Sequence, residues 1–215
     1  MSDASSEEES DSGLRLGARL HSYLDEIGRY MRITRAQKII RRYFAMNAFD
    51  GAMTSLGVVI GAYITDITVP RAVVGIIIVG SIAMAVSGFS GTYMTESAER
   101  SKALNELEDA MLVDLDDTIY GHASRFVSLF AAIVDGSAPF LASLPGLLPF
   151  ALAITGLLPI QSAFVISIGA SMVTLFLLGT FLGRISRSNI FVSGIKMVAA
   201  GVAVALLALL LNGFH

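Results

Sequence analysis

The chain of 215 residues is 54% hydrophobic and only 15% charged, and its formal net charge is −3. Soluble globular domains are about 45–50% apolar and about 25% charged, so this apolar excess predicts an integral membrane protein rather than a soluble enzyme or a disordered chain. The weak negative charge, without a long basic run, argues against nucleic-acid binding. Because the sequence has no cysteine, disulfides, thiolate metal sites and thiol nucleophiles are excluded.

The N-terminal part of the chain precedes the apolar stretches and divides into two regions. Residues 1–13 are acidic, rich in serine and without an apolar run, which predicts a disordered tail rather than a signal peptide. Residues 14–46 carry apolar side chains at helical spacing and become basic towards their end. This pattern predicts an amphipathic helical region, lying on the cytoplasmic membrane surface or packed on a soluble lobe.

Five hydrophobic stretches follow, and each has at least about the 20 residues that an α-helix needs to cross a bilayer. The third stretch is long for one span and contains three prolines, which we expect to kink or break it. The stretches run from about Phe49 to Ile67, Ala72 to Met94, Phe126 to Leu158, Ala163 to Leu182 and Ile190 to Leu211.

Lysine and arginine residues set the expected orientation, because cytoplasmic segments carry an excess of them. With the N-terminus inside, the outer segments contain only Arg71. We therefore expect an all-α integral membrane protein of five transmembrane helices, with a cytoplasmic N-terminus and the C-terminus outside. The membrane domain would comprise residues 47–215 and include a short acidic, cytoplasmic helical segment at about 95–125. The residues placed inside are Lys38, Arg41, Arg42, Arg100, Lys102, Arg125, Arg184 and Arg187.

Asp50 lies at the start of the first span, with Met53 and Thr54 one turn later on the same helical face. Ionisable residues at membrane depth often mark an ion or proton path. A carboxylate, a thioether and a hydroxyl together suit a partly dehydrated divalent ion such as Fe²⁺ or Mn²⁺. The alternative is an interfacial Asp50 that caps the helix, with Met53 in ordinary packing.

Asp135 is a second carboxylate in an apolar stretch, well inside the third span. Two interpretations are open. Asp135 is either a proton carrier or ion ligand, or it forms a hydrogen bond with a serine or threonine on another helix.

Acidic residues recur along the helix that we expect to continue from the second span. Their spacings of 3, 7 and 3 put them near one helical face, where they could collect divalent cations at the mouth of a path. The alternative is a solvated face on which Arg100 and Lys102 pair with the acids. The candidate metal-collecting residues are Glu96, Glu99, Glu106 and Asp109.

Two pairs of glycines are spaced four residues apart, one in the first span and one in the fourth. Small residues at this spacing allow helices to approach closely, so we expect close packing, or a dimer interface, at these positions. The pairs are Gly57 with Gly61 and Gly179 with Gly183.

The order of these features resembles the vacuolar iron transporter family, which includes vacuolar iron and manganese carriers and nodulin-like proteins. The resemblance covers roughly residues 45–212, from the aspartate–glycine pair that opens the first span to the proline-rich third span and the start of the fifth. The matching stretches are Asp50-Gly51-Ala52-Met53-Thr54-Ser55-Leu56-Gly57-Val58-Val59-Ile60-Gly61, Gly91-Thr92-Tyr93-Met94-Thr95-Glu96-Ser97-Ala98-Glu99-Arg100 and Ser193-Gly194-Ile195-Lys196-Met197.

The resemblance implies proton-coupled export of Fe²⁺ or Mn²⁺ from the cytosol by a homodimer, with the ion as substrate and no bound cofactor. It places the metal path at the dimer interface, with Asp50 as the intramembrane ligand and the acids of residues 96–109 gathering the ion. Two positions depart from the family pattern, because Thr92 replaces a membrane glutamate and Gly88 replaces a methionine. The membrane would be that of a prokaryotic cell or of an organelle. Asp135 is a candidate to compensate for the lost carboxylate.

Three other functions compete with metal export. The chain could be a non-transporting scaffold or sensor on the same fold, or it could carry a different solute. The Asp50-Gly51 pair is also similar to the opening of the CDP-alcohol phosphotransferase motif. However, Thr54 and Ser55 stand where that motif has alanine and arginine. We therefore expect a transporter rather than an enzyme.

Overall fold

The computed structural model describes Gly28, Tyr30 and residues 36–212, with side chains as far as residue 210. This part of the chain contains no strand, and its five long helices are each apolar enough to cross a membrane, which confirms the expected all-helical fold class. The predicted tail of residues 1–13, and most of region 14–46, lie outside the described residues. The helices are α1 (Gln37–Ile64), α2 (Pro70–Met111), α3 (Ile119–Ile154), α4 (Ile160–Ile185) and α5 (Ile190–Asn212).

Two helices extend well beyond the apolar stretches that predict them. Helix α1 begins at Gln37, so it includes the end of the region predicted as amphipathic. Helix α2 has 42 residues and continues past Met94 into the acidic segment, as expected. Ion pairs between residues four apart support this polar extension. The helix ends at Met111, and the next residue, Leu112, has a left-handed φ of 55°.

Of the predicted kink or break in the third span, the break does not occur. Helix α3 is continuous from Ile119 to Ile154 with all three prolines inside it. Each proline removes only one backbone hydrogen bond, and the bonds on either side are enough to keep a membrane helix intact when neighbouring helices pack against it. Pro139 is fully buried among such neighbours.

The chain forms two compact units, of which the first comprises Met1–Ile39 and Glu96–Phe130. Its described part contains stacked rings of Phe126 and Phe130, whose centroids are 5.9 Å apart. The Arg125 guanidinium lies 3.0 Å from the Asp116 carboxylate and ties the start of α3 to the preceding loop.

The second unit comprises Ile40–Thr95 and Ala131–His215 and has an apolar core. Phe150 of α3 and Phe164 of α4 meet edge to face with centroids 5.0 Å apart. Val59 of α1 and Val73 of α2 complete this core with no exposed surface. Side chains at helical spacing on four helices therefore bury one another, which fixes the position of polar groups on the same helices.

The two glycine pairs differ in how closely neighbouring helices approach them. A Cβ at Gly179 would lie 2.6 Å from the Ser193 carbonyl oxygen, and one at Gly183 would lie 2.8 Å from the Ser193 hydroxyl. The expected close packing is therefore confirmed between α4 and α5. Gly57 has a neighbour only at 4.0 Å and Gly61 has none within 4 Å among the described residues, so these two do not bring helices of this chain together.

Candidate functional site

Asp135 is the centre of a hydrogen-bonded group that joins three helices within the second unit. Its side chain on α3 is buried, with 2% of the residue exposed. The Asn47 side-chain amide of α1 donates to one carboxylate oxygen, Oδ1. The Thr92 hydroxyl of α2 donates to the other, Oδ2, at 2.6 Å. Each carboxylate oxygen therefore has a neutral donor from a different helix.

Glycines make the space for this group. A Cβ at Gly88, one turn before Thr92, would lie 3.3 Å from Oδ2 of Asp135, so a larger residue would crowd the carboxylate. A Cβ at Gly136 would lie 2.8 Å from the Ala85 carbonyl oxygen. The two glycines thus let α2 and α3 approach closely enough for Thr92 to reach Asp135.

A second close approach brings α1 against α3. Gly51 lies one turn after Asn47, and Pro139 lies one turn after Asp135. A Cβ at Gly51 would overlap the backbone of Pro139, at its carbonyl oxygen and its Cα. Because Gly51 has no side chain, the two helices touch here and Asn47 reaches the carboxylate.

The Asp135 carboxylate has no cationic partner among the described residues, whose ion pairs involve other carboxylates. Neutral donors stabilise a buried carboxylate, but they leave its net charge uncompensated in a medium of low dielectric constant. Binding a proton or a metal ion removes or offsets that charge. The site is therefore chemically suited to take up a cation.

This geometry bears on both interpretations of Asp135. The hydrogen bond to a threonine on another helix is present, as the structural interpretation requires. The role as proton carrier or ion ligand remains a prediction, and the uncompensated charge is what favours it.

Asp50, Met53 and Thr54 share a face of α1 but have different surroundings. The Asp50 carboxylate is exposed and near enough to Asp135 to interact with it electrostatically. Met53 packs against the apolar cluster around Leu56. The Thr54 hydroxyl lies 3.6 Å from the Met84 sulfur. Met53 therefore makes an ordinary packing contact, whereas the Asp50 carboxylate interacts electrostatically with the buried Asp135 carboxylate.

The acids of α2 are not gathered at one point. Glu96 is buried and accepts from the Arg100 guanidinium at 3.2 Å, and Glu106 lies 3.8 Å from the Lys102 ammonium. Glu99 and Asp109 are exposed. At about 1.5 Å per residue, the four acids spread over roughly 20 Å of helix. Within the described part of the chain, no three acidic or histidine side chains are placed to hold a metal ion, so the predicted collecting face has no preformed site.

Sequence reasoning missed Asn47, although it lies three residues before Asp50 and is an uncharged polar residue in an apolar context. Thr92 and Gly88 stand out in the sequence only as departures from a family pattern. A search for polar or small residues on other spans would have found them as candidates, but which of them face Asp135 depends on how the helices pack.

Replacing Thr92 with valine should destabilise the fold, because the shape is kept while one donor to a buried carboxylate is lost. We expect a loss of about 1–3 kcal/mol in the free energy of unfolding. Thermal unfolding of the purified protein checks this, with Thr92→Ser as the matched control that keeps the hydroxyl. Equal stability of the valine and wild-type proteins would mean that the 2.6 Å contact contributes nothing.

Comparison with known proteins identifies one informative relative. A protein of Methanocaldococcus jannaschii named uncharacterized protein MJ0645 is 32% identical over 175 residues, which is 80% of this chain and 87% of that protein. No family model matches the chain, and no solved structure matches it either. The similarity thus extends over most of both chains and carries no statement of activity.

Proposed function

The chain belongs to the same family as MJ0645 of Methanocaldococcus jannaschii, and from its own residues we propose that it is a divalent-metal transporter. It exports Fe²⁺ or Mn²⁺ from the cytosol in exchange for protons. The observation that carries this proposal is the buried Asp135 carboxylate, which is held by Asn47 and Thr92 and has no cationic partner among the described residues.

A carboxylate suits such an exchange because the same oxygens hold either a proton or a metal ion, and the two compete. Asp50 strengthens the argument, since it lies one turn after Asn47, which bonds to Asp135, so that two negative charges come near each other. A divalent cation, or protons, would relieve that repulsion. In this mechanism Asp50 receives the cation at the exposed end of the path and Asp135 takes part in the proton return.

The resemblance to vacuolar iron transporters supports the proposal through the two positions that depart from the family pattern. Thr92 replaces the membrane glutamate, and its hydroxyl lies 2.6 Å from the Asp135 carboxylate. Gly88 replaces the methionine and leaves the space that this carboxylate occupies. The carboxylate missing from α2 is thus supplied at nearly the same place from α3.

The surroundings of the site support two further parts of the proposal. Asp50 and Thr54 are exposed on a helix apolar enough to cross a membrane, so a second copy of the chain would shield them in a homodimer. Glu99, Glu106 and Asp109 are solvent-exposed and would raise the local concentration of cations by their charge rather than by a fixed site. The protein would be a multi-pass protein of a prokaryotic cell membrane or an organellar membrane.

One observation favours a second candidate, a non-transporting scaffold or sensor on the same fold. The hydrogen bonds of Asp135 join α1, α2 and α3, which is a sufficient structural reason for a buried polar group. Such a role requires the carboxylate only as an acceptor of hydrogen bonds. It predicts no metal-dependent proton movement.

Transport in proteoliposomes tests the proposal. We expect uptake of Fe²⁺ or Mn²⁺ that requires an imposed pH gradient in the wild-type protein and is lost in Asp50→Ala. Asp66→Ala is the matched control, because Asp66 is an exposed aspartate just beyond the end of α1. Absence of flux for both ions in folded, inserted protein would contradict the proposal and favour the scaffold.

A further inference from the structure

Three serines surround Gly146 of α3 inside the second unit, and we call this group the serine site. Ser55 comes from α1, and Ser167 and Ser171 come from α4. Each is buried, with at most 2% of the residue exposed. The site therefore places three hydroxyls and one backbone carbonyl in the interior of helices that are apolar enough to span a membrane.

The hydroxyls of the serine site differ in their hydrogen bonds. The Ser167 hydroxyl donates to the carbonyl oxygen of Gly146. The hydroxyls of Ser55 and Ser171 have no hydrogen-bond partner among the described residues. Buried polar groups without a partner are rare in native proteins, and each one requires an explanation such as a bound water or ion. In a membrane-spanning bundle the cost is largest, because the hydrocarbon supplies no alternative partner.

The two unpartnered hydroxyls converge on one place. A Cβ at Gly146 would lie 2.5 Å from the Ser55 oxygen and 2.7 Å from the Ser171 oxygen. The separation of the two oxygens is therefore no more than the length of two hydrogen bonds, since an O–H···O bond measures about 2.7–2.8 Å. One water molecule can bridge oxygens at that separation. The Ser167 oxygen lies 3.6 Å from the same point and adds a third polar neighbour.

We propose that the serine site binds a water molecule that bridges Ser55 and Ser171. A buried water typically makes about three hydrogen bonds, and the hydroxyls of the site can supply them. A divalent metal ion does not fit, because hydroxyls and a carbonyl carry no negative charge to offset its charge in an apolar interior. Glycine at position 146 is required here, because a Cβ would overlap the Ser55 and Ser171 hydroxyls.

The serine site is separate from the carboxylate site. Gly146 lies 11 residues after Asp135 on α3, which is about 16 Å along a helix that rises 1.5 Å per residue. The bundle thus has a second polar level, built from neutral hydroxyls on α1, α3 and α4. This inference does not depend on metal transport.

The experiment is a double-mutant cycle on the full chain, with the midpoint temperature of thermal unfolding as the readout. A bridging water couples its two partners. Ser55→Ala and Ser171→Ala should each lower the midpoint by a few degrees, and the double variant should lower it by less than both changes together. Ser81→Ala is the matched control. Ser81 is equally buried, but its hydroxyl donates to Ser143 at 2.9 Å, so its effect should add to that of Ser55→Ala.

Two results would overturn the water site. If the hydroxyls are dry, removing either one removes a desolvated polar group, and each alanine variant should raise the midpoint temperature. If they are hydrated independently, the two effects should add. A crystal structure of the wild-type protein in lipid checks the cycle directly. Density within hydrogen-bond distance of both oxygens is expected, and a direct Ser55–Ser171 hydrogen bond without such density would contradict it.

Discussion

The variant Asp135→Asn is expected to reduce metal-driven proton movement to the level of empty liposomes. Asparagine has nearly the size of aspartate, and its carbonyl can still accept the hydrogen bond from Thr92. Its amide can donate to the Asn47 side-chain oxygen once the Asn47 amide flips, but it cannot bind a proton. The measurement is the internal pH of proteoliposomes after a Mn²⁺ or Fe²⁺ gradient is imposed. The midpoint temperature of unfolding should change little, because the variant removes an uncompensated buried charge while keeping the packing.

Loss of transport together with retained stability distinguishes the transporter hypothesis from the scaffold hypothesis. A purely structural Asp135 would give the opposite result, a less stable protein with no transport to lose. Unaltered metal-dependent proton flux in a well-folded Asp135→Asn protein would remove Asp135 from the mechanism.

A double variant that moves the buried carboxylate from α3 to α2 provides a further control for the role of Asp135. Thr92 and Asp135 are in direct contact, so a carboxylate at position 92 would lie close to the place that the Asp135 carboxylate occupies. We therefore expect Thr92→Glu to restore part of the flux when it is combined with Asp135→Asn. Thr92→Glu alone places two carboxylates at one buried position and should destabilise the protein by like-charge repulsion.

The variant Gly51→Ala is expected to cause the largest loss of stability. Its Cβ would overlap the carbonyl oxygen and Cα of Pro139, and backbone atoms cannot rotate away as a side chain can. Helices α1 and α3 would have to separate, at a cost of about 3 kcal/mol or more. For a chain of this size, that is a fall of about 6–12 °C in the midpoint temperature of unfolding. Transport should fall as well, because Asn47 and Asp135 meet one turn away.

Gly61→Ala is the matched control on the same helix. No described atom lies within 4 Å of a Cβ there, and alanine is the better helix former, so stability should be unchanged or slightly higher. If Gly51→Ala unfolds at the wild-type temperature, α1 and α3 do not cross as described.

Much of the fold follows from local sequence. Runs of about 20 apolar residues predict membrane-length helices because the backbone must satisfy its own hydrogen bonds in hydrocarbon. The continuation of α2 beyond Met94 was also predictable, because acidic and basic residues four apart support a solvated helix. The three prolines left open whether α3 kinks or breaks, and its continuity could not be predicted, since the tolerance of a helix for proline depends on the neighbours that pack against it.

The sequence by itself determined five apolar helices and marked Asp50 and Asp135 as ionisable residues in apolar surroundings. Only the tertiary structure decided that Asn47 and Thr92 bond to Asp135, and that Gly51 rather than Gly57 is a crossing point. The physical reason is that apolarity is a property of each segment, whereas these contacts depend on the rotation and register of whole helices. In nearly uniformly apolar helices, hydrophobic periodicity alone does not specify that rotation. It is decided by close contacts between small residues and by the few polar groups that must find partners.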